Sequence, residues 1–471
     1  MNPPRMVDAP SRTDPVIRAL SQVIGGPHGR HAVTEPQRRF WIPVRVVLFG
    51  AIVMFAAAWL QKLPCATGEW TDYGQYTQLC YSDIRALWGA ERFDVGAIPY
   101  FEHPVEYPVL SGIFMGVAGL LSYALLGEGG GTVYYHLNAI GLLTSGVIAV
   151  AALYRLRQSR PWDAMMLAVA PIMLVTALVN WDLLAVALTT GALLAWARRR
   201  VWWAGILLGL AVAAKFYPLL ILGPLLVLAI RHRRWGPAVK TAATAAATWL
   251  AVNATFMLFA YDGWSRFFQL NSERPIDWGT TWYILRAYTA EGSSLSNVLA
   301  DVPTVNWMYL VALVLCCVGI AYIGWTAPTP PRLAQLVFLV VAAFLLTGKV
   351  WSQQYVLWLL PLLILARPQW RAFLLWQAAE FFYFIAFYGQ MLSTAQSQDD
   401  ELPAWAIPSS EWVFVLAALA RATMVTVLCV LVIRDIYRPE HDVIRRTYGT
   451  DPEAGMLLPA NDESPAKAKR R

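Results

Sequence analysis

Titratable side chains are concentrated in a polar segment that follows the first apolar run of the chain. Residues 80–110 read CYSDIRALWGAERFDVGAIPYFEHPVEYPVL, which is rich in carboxylates, aromatic rings and prolines. A carboxylate held within hydrogen-bond reach of a hydroxyl proton can remove it as a general base. Asp83, on a predicted short helix, is the candidate base. Glu102 and Glu106 are its rivals, and His103 is a candidate assistant. The alternative is a solvated loop with scattered charges.

Two more charged residues stand between apolar runs. Asp182 lies in an Asn-Trp-Asp sequence, and Lys215 begins a Lys-Phe-Tyr-Pro sequence that includes Tyr217. If the flanking runs span a membrane, ionisable groups at that depth indicate a functional site. Asp182 could instead cap a helix. Lys215 suits a lipid phosphate, and the alternative is that its side chain reaches back to the membrane surface.

A third polar segment, KVWSQQY over 349–355, combines a cation, aromatic rings and amides at a predicted helix boundary. The Gln353 and Gln354 amides beside aromatic faces suit a sugar ring, whereas an interfacial aromatic belt is the alternative. Glu380 and Arg421 each stand in the middle of an apolar run. Because neither charge is stable alone in hydrocarbon, we expect the two to form a buried pair.

The elements that position these groups are predicted to be apolar helices. Of the 471 residues, 58% are hydrophobic and only 14% are charged, against about 25% charged residues in soluble domains. A bilayer crossing needs about 20 apolar residues. The runs over 201–214, 216–230 and 354–366 are shorter, which indicates discontinuous helices around a buried site. We therefore predict an all-α polytopic membrane protein with about 10–12 transmembrane helices.

Basic residues are clustered in short loops between the apolar runs, a topogenic pattern rather than one that binds nucleic acid. It predicts a disordered cytoplasmic N-terminus over 1–40, a transmembrane domain over 41–435 and a disordered cytoplasmic tail over 436–471. The predicted outer loops are 63–107, 261–304 and 389–410.

The number of predicted membrane crossings conflicts with the positive-inside rule at one place, which we call the conflict of parity. If the runs 108–126 and 132–154 both cross the membrane, the basic cluster at 155–160 lies outside. Either one run is re-entrant or that cluster is an exception to the positive-inside rule. Cys65 and Cys80 share the first outer loop, and they could form a disulfide if that loop lies outside the cytoplasm.

Several classes of protein are disfavoured by the motifs that are missing. The sequence has no Walker A loop, dinucleotide fingerprint, HExxH or CxxC pair, which argues against an ATP-driven pump, a dehydrogenase or a zinc protease. We predict neither a metal ion nor a cofactor.

Four segments together resemble glycosyltransferase family 87. They are EYPVL, similar to a YPP motif with Val109 in place of the second proline, NWDLLAVAL, AGILLGLAVAAKFYPLLILGPLL and KVWSQQYVLWLLPLLILARP. The resemblance covers about 40–435. It implies a C-type glycosyltransferase-like fold with a helical first outer loop, and an enzyme that takes a sugar from a polyprenyl-phosphate carrier.

The resemblance also implies roles for particular residues. YSDIRALW corresponds to the segment of the family's catalytic aspartate, so Asp83 is the implied base, and Lys215 falls in the family's KxYP segment. Gln353 and Gln354 stand where characterised mannosyltransferases often carry histidines. The predicted substrate-binding residues are Arg85, Glu102, His103, Glu106, Tyr107, Asp182, Lys215, Tyr217, Lys349, Gln353 and Gln354.

The expected reaction is transfer of a sugar to a lipid-anchored or envelope glycan such as lipomannan, and mannose is the expected sugar. It would take place on the outer face of the cell membrane, with membrane lipid as a further partner and no nucleic acid. The alternative is a secondary transporter or a lipid-glycan flippase, because broken helices and intramembrane charges also suit transport.

Overall fold

The computed structural model describes residues 14–25, 42–68, 70–397 and 402–459, and this part of the chain is helical without a β-strand. The N-terminal half contains α1 Pro15–Gly25, α2 Pro43–Lys62, α3 Gly74–Thr77, α4 Asp83–Ala90, α5 Val109–Leu126, α6 Gly131–Leu156, α7 Ala164–Ala168, α8 Met173–Thr176, α9 Asp182–Ala197, α10 Val201–Ala214 and α11 Leu222–Arg231. The C-terminal half contains α12 Trp235–Phe259, α13 Tyr261–Glu273, α14 Thr281–Ala287, α15 Ser294–Ala300, α16 Val302–Thr326, α17 Leu333–Thr347, α18 Val356–Ala366, α19 Trp370–Gln396, α20 Glu411–Tyr437 and α21 Val443–Tyr448.

The apolar segments confirm an all-α polytopic membrane protein. By length and composition, six helical segments in the described residues could cross a membrane, and shorter apolar helices accompany them. The shorter helices α17 and α18 are buried on nearly every face. A helix that is apolar all round belongs in the interior of a bundle, so the long spans surround these shorter helices.

The helices run between two ends of the bundle, which we name the Asp83 end and the tail end. The tail end holds residues 439–457. α6 begins at the Asp83 end, where Gly131 lies against the Arg85 side chain. It is followed at the tail end by Arg157, which pairs with Glu453. The two ends therefore correspond to the two surfaces of the membrane.

Helix α5 resolves the conflict of parity, because both of its ends lie at the Asp83 end. Tyr107 precedes α5 and accepts a hydrogen bond from Asn180, and beyond its C-terminus the Glu128 carbonyl accepts one from the Trp88 indole. Between these points, glycines of α5 pack against Tyr100, Pro99 and Phe93. The run 109–126 therefore does not carry the chain to the tail end, and the basic cluster 155–160 joins the other basic loops there.

Both terminal segments are more ordered than predicted where the structure describes them. Residues 15–25 form α1, although the rest of 1–40 lies outside the described residues apart from Asp14. The prediction of a disordered tail is wrong for residues 439–457. Asp442 pairs with the buried Arg332 at 2.7 Å, and Glu453 pairs with Arg157. Burying those arginines demands carboxylate partners, which the polar tail supplies.

Candidate active site

The backbone around Asp83 is fixed by the broken segment that precedes α9. The Asp83 amide donates to the Val179 carbonyl at 2.8 Å, and the Ser82 hydroxyl donates to the Leu178 carbonyl at 2.6 Å. Asp83 is the first residue of α4. These bonds across almost a hundred positions of sequence hold the start of α4 against the bundle core.

The Asp83 carboxylate is met by the amide of Asn180, whose Nδ2 donates to Asp83 Oδ2 at 2.8 Å. The same nitrogen donates to the Tyr107 hydroxyl at 2.7 Å. Asn180 Oδ1 accepts from the Trp181 amide at 2.6 Å and from Lys215 at 3.4 Å. Because every polar group of the amide has a partner, its orientation is fixed with the NH₂ group towards the carboxylate.

Burial controls the acidity of Asp83. Loss of solvent raises the pKa of the Asp83 carboxyl, while hydrogen bonds from Tyr81 and Asn180 and the charge of Lys215 oppose that rise. The carboxylate in turn raises the pKa of the Tyr81 hydroxyl. A carboxylate with a raised pKa is a stronger proton acceptor than an ordinary aspartate, as a general base requires.

Asp83 lines a cavity of about 250 Å³ at its end of the bundle. The opposite wall comes from the 3₁₀ turn Gln353–Tyr355, which contributes Gln353 and Gln354. Arg274 and Asp277 line it from the loop after α13. Val179 and residues of α19 complete the lining, so the cavity joins five segments of the chain and places two carboxylates, two amides and a guanidinium around one space.

The wall that carries Gln353 and Gln354 is held from behind by a buried ion pair. Arg421 pairs with Glu380 at 3.0 Å, which confirms the predicted pairing. The Arg421 guanidinium donates to the Trp351 and Ser352 carbonyls at 3.0 Å each, and it stacks on the Trp351 ring. The pair therefore positions the backbone of the KVWSQQY segment as well as neutralising two charges.

Lys215 and Asp182 form a second layer behind Asn180 rather than lining the cavity. Lys215 Nζ lies 3.6 Å from Asp182 Oδ1 and over the Tyr107 ring. Asp182 also accepts from the Trp358 indole at 2.7 Å, and Tyr217 stacks on Trp358. The predicted residues Tyr107, Asp182, Lys215 and Tyr217 therefore make one buried network that supports Asn180.

Lys349 is near the cavity but points into backbone carbonyls. Its Nζ donates to the Arg274 carbonyl at 2.6 Å and to the Ser272 carbonyl at 3.4 Å. The Lys349 carbonyl accepts from the Asp277 amide at 2.8 Å. Lys349 thus fixes the loop that presents Arg274 and Asp277.

The remaining predicted residues of the first loop lie away from the cavity. Arg85 donates to the Thr67 carbonyl, Glu102 accepts from the Ile98 amide, and His103 lies 3.7 Å from Glu91. Glu106 is exposed. The structure does not place Glu102 or Glu106, the rivals of Asp83, on the cavity wall.

Cys65 and Cys80 are joined in a disulfide that closes the start of the first loop. Lys62, at the end of α2, donates to the Leu79 and Tyr81 carbonyls beside this disulfide. The disulfide and Lys62 together hold the segment that precedes Asp83 against α2. Lys62 was not singled out in the sequence, although an ionisable residue at the end of an apolar run is a signal for such a role.

Asn180 and Arg274 are two further site residues that were not predicted as binding residues. Asn180 belongs to the Asn-Trp-Asp segment, whose charged residue drew attention instead. Arg274 is the first residue after α13, and only the folded chain brings it to the same cavity as Asp83. Its side chain is 42% exposed and lies 3.5 Å from the Asp277 carboxylate, so the guanidinium retains donors for a ligand.

These features define a class: a multi-pass membrane protein whose helical bundle holds a polar cavity at one end. The family model for glycosyltransferase family 87 matches residues 106–348, more than half of the chain. The chain belongs to glycosyltransferase family 87 and is a membrane glycosyltransferase, which disfavours the transporter alternative. The matched range includes Tyr107, Asn180 and Lys215, while Asp83 and Gln353 lie outside it.

Two solved structures are similar in fold. One is ArnT from Cupriavidus metallidurans bound to undecaprenyl phosphate, with 12% identity, a TM-score of 0.40, and coverage of 84% of this chain and 78% of ArnT. The other is the archaeal oligosaccharyltransferase AglB from Archaeoglobus fulgidus in complex with an inhibitory peptide and a dolichol-phosphate. It has 14% identity, a TM-score of 0.38, and coverage of 84% of this chain and 56% of AglB. No curated protein matched the sequence.

Proposed function

We propose that this glycosyltransferase moves a sugar from a polyprenyl-phosphate donor to a lipid-anchored or envelope glycan, and that the sugar is mannose. The observation that carries the proposal is the cavity shared by Asp83, Arg274, Gln353 and Gln354. It combines a proton acceptor, a cation for a phosphate and neutral amides for sugar hydroxyls, which are the three chemical needs of this transfer.

Asp83 is the proposed general base. The acceptor hydroxyl gives its proton to the Asp83 carboxylate while its oxygen forms a bond to the anomeric carbon. The bond between that carbon and the phosphate oxygen breaks, and the polyprenyl phosphate leaves with the electron pair. Direct displacement of this kind inverts the anomeric centre.

Arg274 is the proposed partner of the donor phosphate. Guanidinium groups bind phosphate through two parallel hydrogen bonds, and Arg274 is the cation that lines the cavity. Lys215 was the sequence-based candidate, but it is engaged by Asp182 and Asn180. Its charge acts on the site from behind, by stabilising the ionised form of Asp83.

The Gln353 and Gln354 amides are proposed to bind the transferred sugar. Gln353 Nε2 donates to the Tyr388 hydroxyl at 3.1 Å, while its buried Oε1 has no partner within the described residues. A buried acceptor without a donor carries a desolvation cost, and a sugar hydroxyl at the cavity wall would relieve it.

The Asp83 end is proposed to face the outside of the cell. The basic loops 155–160 and 198–200 lie at the tail end, where Arg199 donates to the Leu458 carbonyl. Lys and Arg accumulate in cytoplasmic loops, so the opposite end is extracytoplasmic.

The test is transfer of radiolabelled mannose from polyprenyl-phosphate mannose by purified wild-type protein and matched variants. Asp83→Asn is expected to lower kcat by about 100- to 10,000-fold, the usual contribution of a general base. Glu102→Gln removes a carboxylate from the same loop outside the cavity and is expected to retain activity. A folded Asp83→Asn protein with full activity would refute the mechanism, as would a loss confined to Glu102→Gln.

A further inference from the structure

A groove at the tail end of the bundle combines an apolar floor with a basic rim. It lies between α6, α9 and α10 and has a volume of about 380 Å³. Ile148, Leu194 and Leu207 contribute to its floor. Because Asp83 lies at the opposite end of the bundle, this groove is separate from the proposed active site.

Three arginines line the groove at the ends of its helices. Arg155 is in the last turn of α6, Arg198 follows α9, and Arg200 precedes α10. All three are exposed, and none has an acidic partner in the described part of the chain. Arg157, only two residues from Arg155, is buried and paired with Glu453. The rim therefore carries uncompensated positive charge beside a region where other charges are neutralised.

The depth of the groove matches the layers of a membrane surface. Trp203 lines it and is 58% exposed, and tryptophan is enriched where the bilayer meets water. Ile148 precedes Arg155 by seven residues on the same helix, which corresponds to about 10 Å along the axis. This spacing suits a ligand whose phosphate lies among the arginines and whose acyl chain extends along the apolar floor.

We propose that this groove binds an anionic diacyl phospholipid of the surrounding bilayer. The phosphate of the headgroup lies among Arg155, Arg198 and Arg200, and an acyl chain covers the apolar floor. Basic pockets between transmembrane helices bind anionic headgroups in this manner. A bilayer phospholipid satisfies the charge and the apolar surface at once, whereas a free anion satisfies only the charge.

The test measures lipid retention by the full-length protein in non-ionic detergent, using native mass spectrometry with phosphatidylglycerol and phosphatidylcholine of identical acyl chains. Wild-type protein is expected to retain phosphatidylglycerol preferentially. The variant R155Q/R198Q/R200Q is expected to bind it about a hundredfold more weakly, since each basic side chain contributes roughly a fivefold factor near an anionic surface.

The matched control is R233Q/R438Q/R446Q, which removes three exposed arginines that do not line the groove. It is expected to retain the lipid like wild type. Equal losses in both triple variants would overturn the proposal in favour of general surface charge. Inorganic phosphate that displaces the lipid, or a stronger preference for polyprenyl monophosphate, would also overturn it. Thermal unfolding without added lipid identifies a variant that fails to fold, in which case R198Q alone is expected to reproduce a fivefold loss.

Discussion

Removing the amide of Asn180 is expected to change the pH dependence of catalysis more than its maximum. Asn180 donates to Asp83 at 2.8 Å and does not itself line the cavity. Asn180→Ala leaves the carboxylate in place and deletes the hydrogen bond that favours its ionised form. Since burial already raises the pKa of Asp83, the acid limb of the wild-type profile should lie above the ordinary aspartate range of about 3.9.

The magnitude follows from the strength of a hydrogen bond to a charged group, about 1.5–3 kcal/mol. On the acid limb, where Asp83 is mostly protonated, this loss lowers the ionised fraction by about 10- to 100-fold, at 1.4 kcal/mol for each factor of ten. At alkaline pH the carboxylate is ionised with or without the bond. The deficit in kcat/KM should therefore shrink as pH rises.

The assay is kcat/KM for sugar transfer across about pH 5 to 9, with wild type, Asn180→Ala and the control Asn253→Ala. Asn253 is also a buried helical asparagine, and it does not line the cavity. Its side-chain oxygen accepts a hydrogen bond from the Trp264 indole at 2.9 Å. Its replacement should leave the profile unchanged. A uniform deficit at every pH in folded Asn180→Ala protein would refute the role of this bond in tuning Asp83, because simple misplacement of substrate has no pH dependence.

Three further outcomes are expected. Arg421→Met leaves Glu380 buried alone and should lower the free energy of unfolding by about 3–5 kcal/mol. The double variant Arg421→Met/Glu380→Met should recover stability, measured by thermal unfolding. It should not recover activity, because the Trp351 and Ser352 carbonyls still lack their donor. Burial raises the pKa of Glu91 to about 7, so the native state loses stability as pH rises from about 4.3 to about 7. Glu91→Gln should therefore raise the melting temperature at pH 8 and not at pH 5. Equal effects at the two pH values would contradict the raised pKa. Replacing Cys65 and Cys80 by serine opens a loop with a sequence separation of 15 and should cost about 3 kcal/mol, whereas an unchanged melting temperature would show that the disulfide does not contribute.

The course of the long helices was predictable because apolar runs are local features. The run 201–214 coincides with α10, and the run 132–154 lies within α6, Gly131–Leu156. Helix α5 was not predictable, since its apolar composition equals that of a crossing helix. What keeps it at the Asp83 end is the packing of its glycines on Tyr100, Pro99 and Phe93, which depends on contacts remote in sequence.

The candidate site also contains some residues that could be predicted from the sequence and others that could not. Asp83 was a candidate because its loop is dense in titratable groups, and the family resemblance favoured it over Glu102 and Glu106. The Gln353–Gln354 pair was a candidate because its amides stand beside aromatic residues at a predicted helix boundary. The partnership of Lys215 with Asp182 was not predicted, although both residues were singled out, because spacing does not give the distance between two helix ends. Arg274 had no local signal at all, and its position depends on the carbonyl contacts that Lys349 makes with the loop.

The ion pairs of the C-terminal segment have a consequence for biosynthesis. Arg157 and Arg332 are fully buried in the folded protein, but Asp442 and Glu453, which neutralise them, are translated after α20, the last long apolar helix in the described part of the chain. Until residues 442–453 are translated, both arginines lack these carboxylate partners. Because a buried arginine needs such a partner, burial of this pair follows the synthesis of every long apolar helix in the described part of the chain.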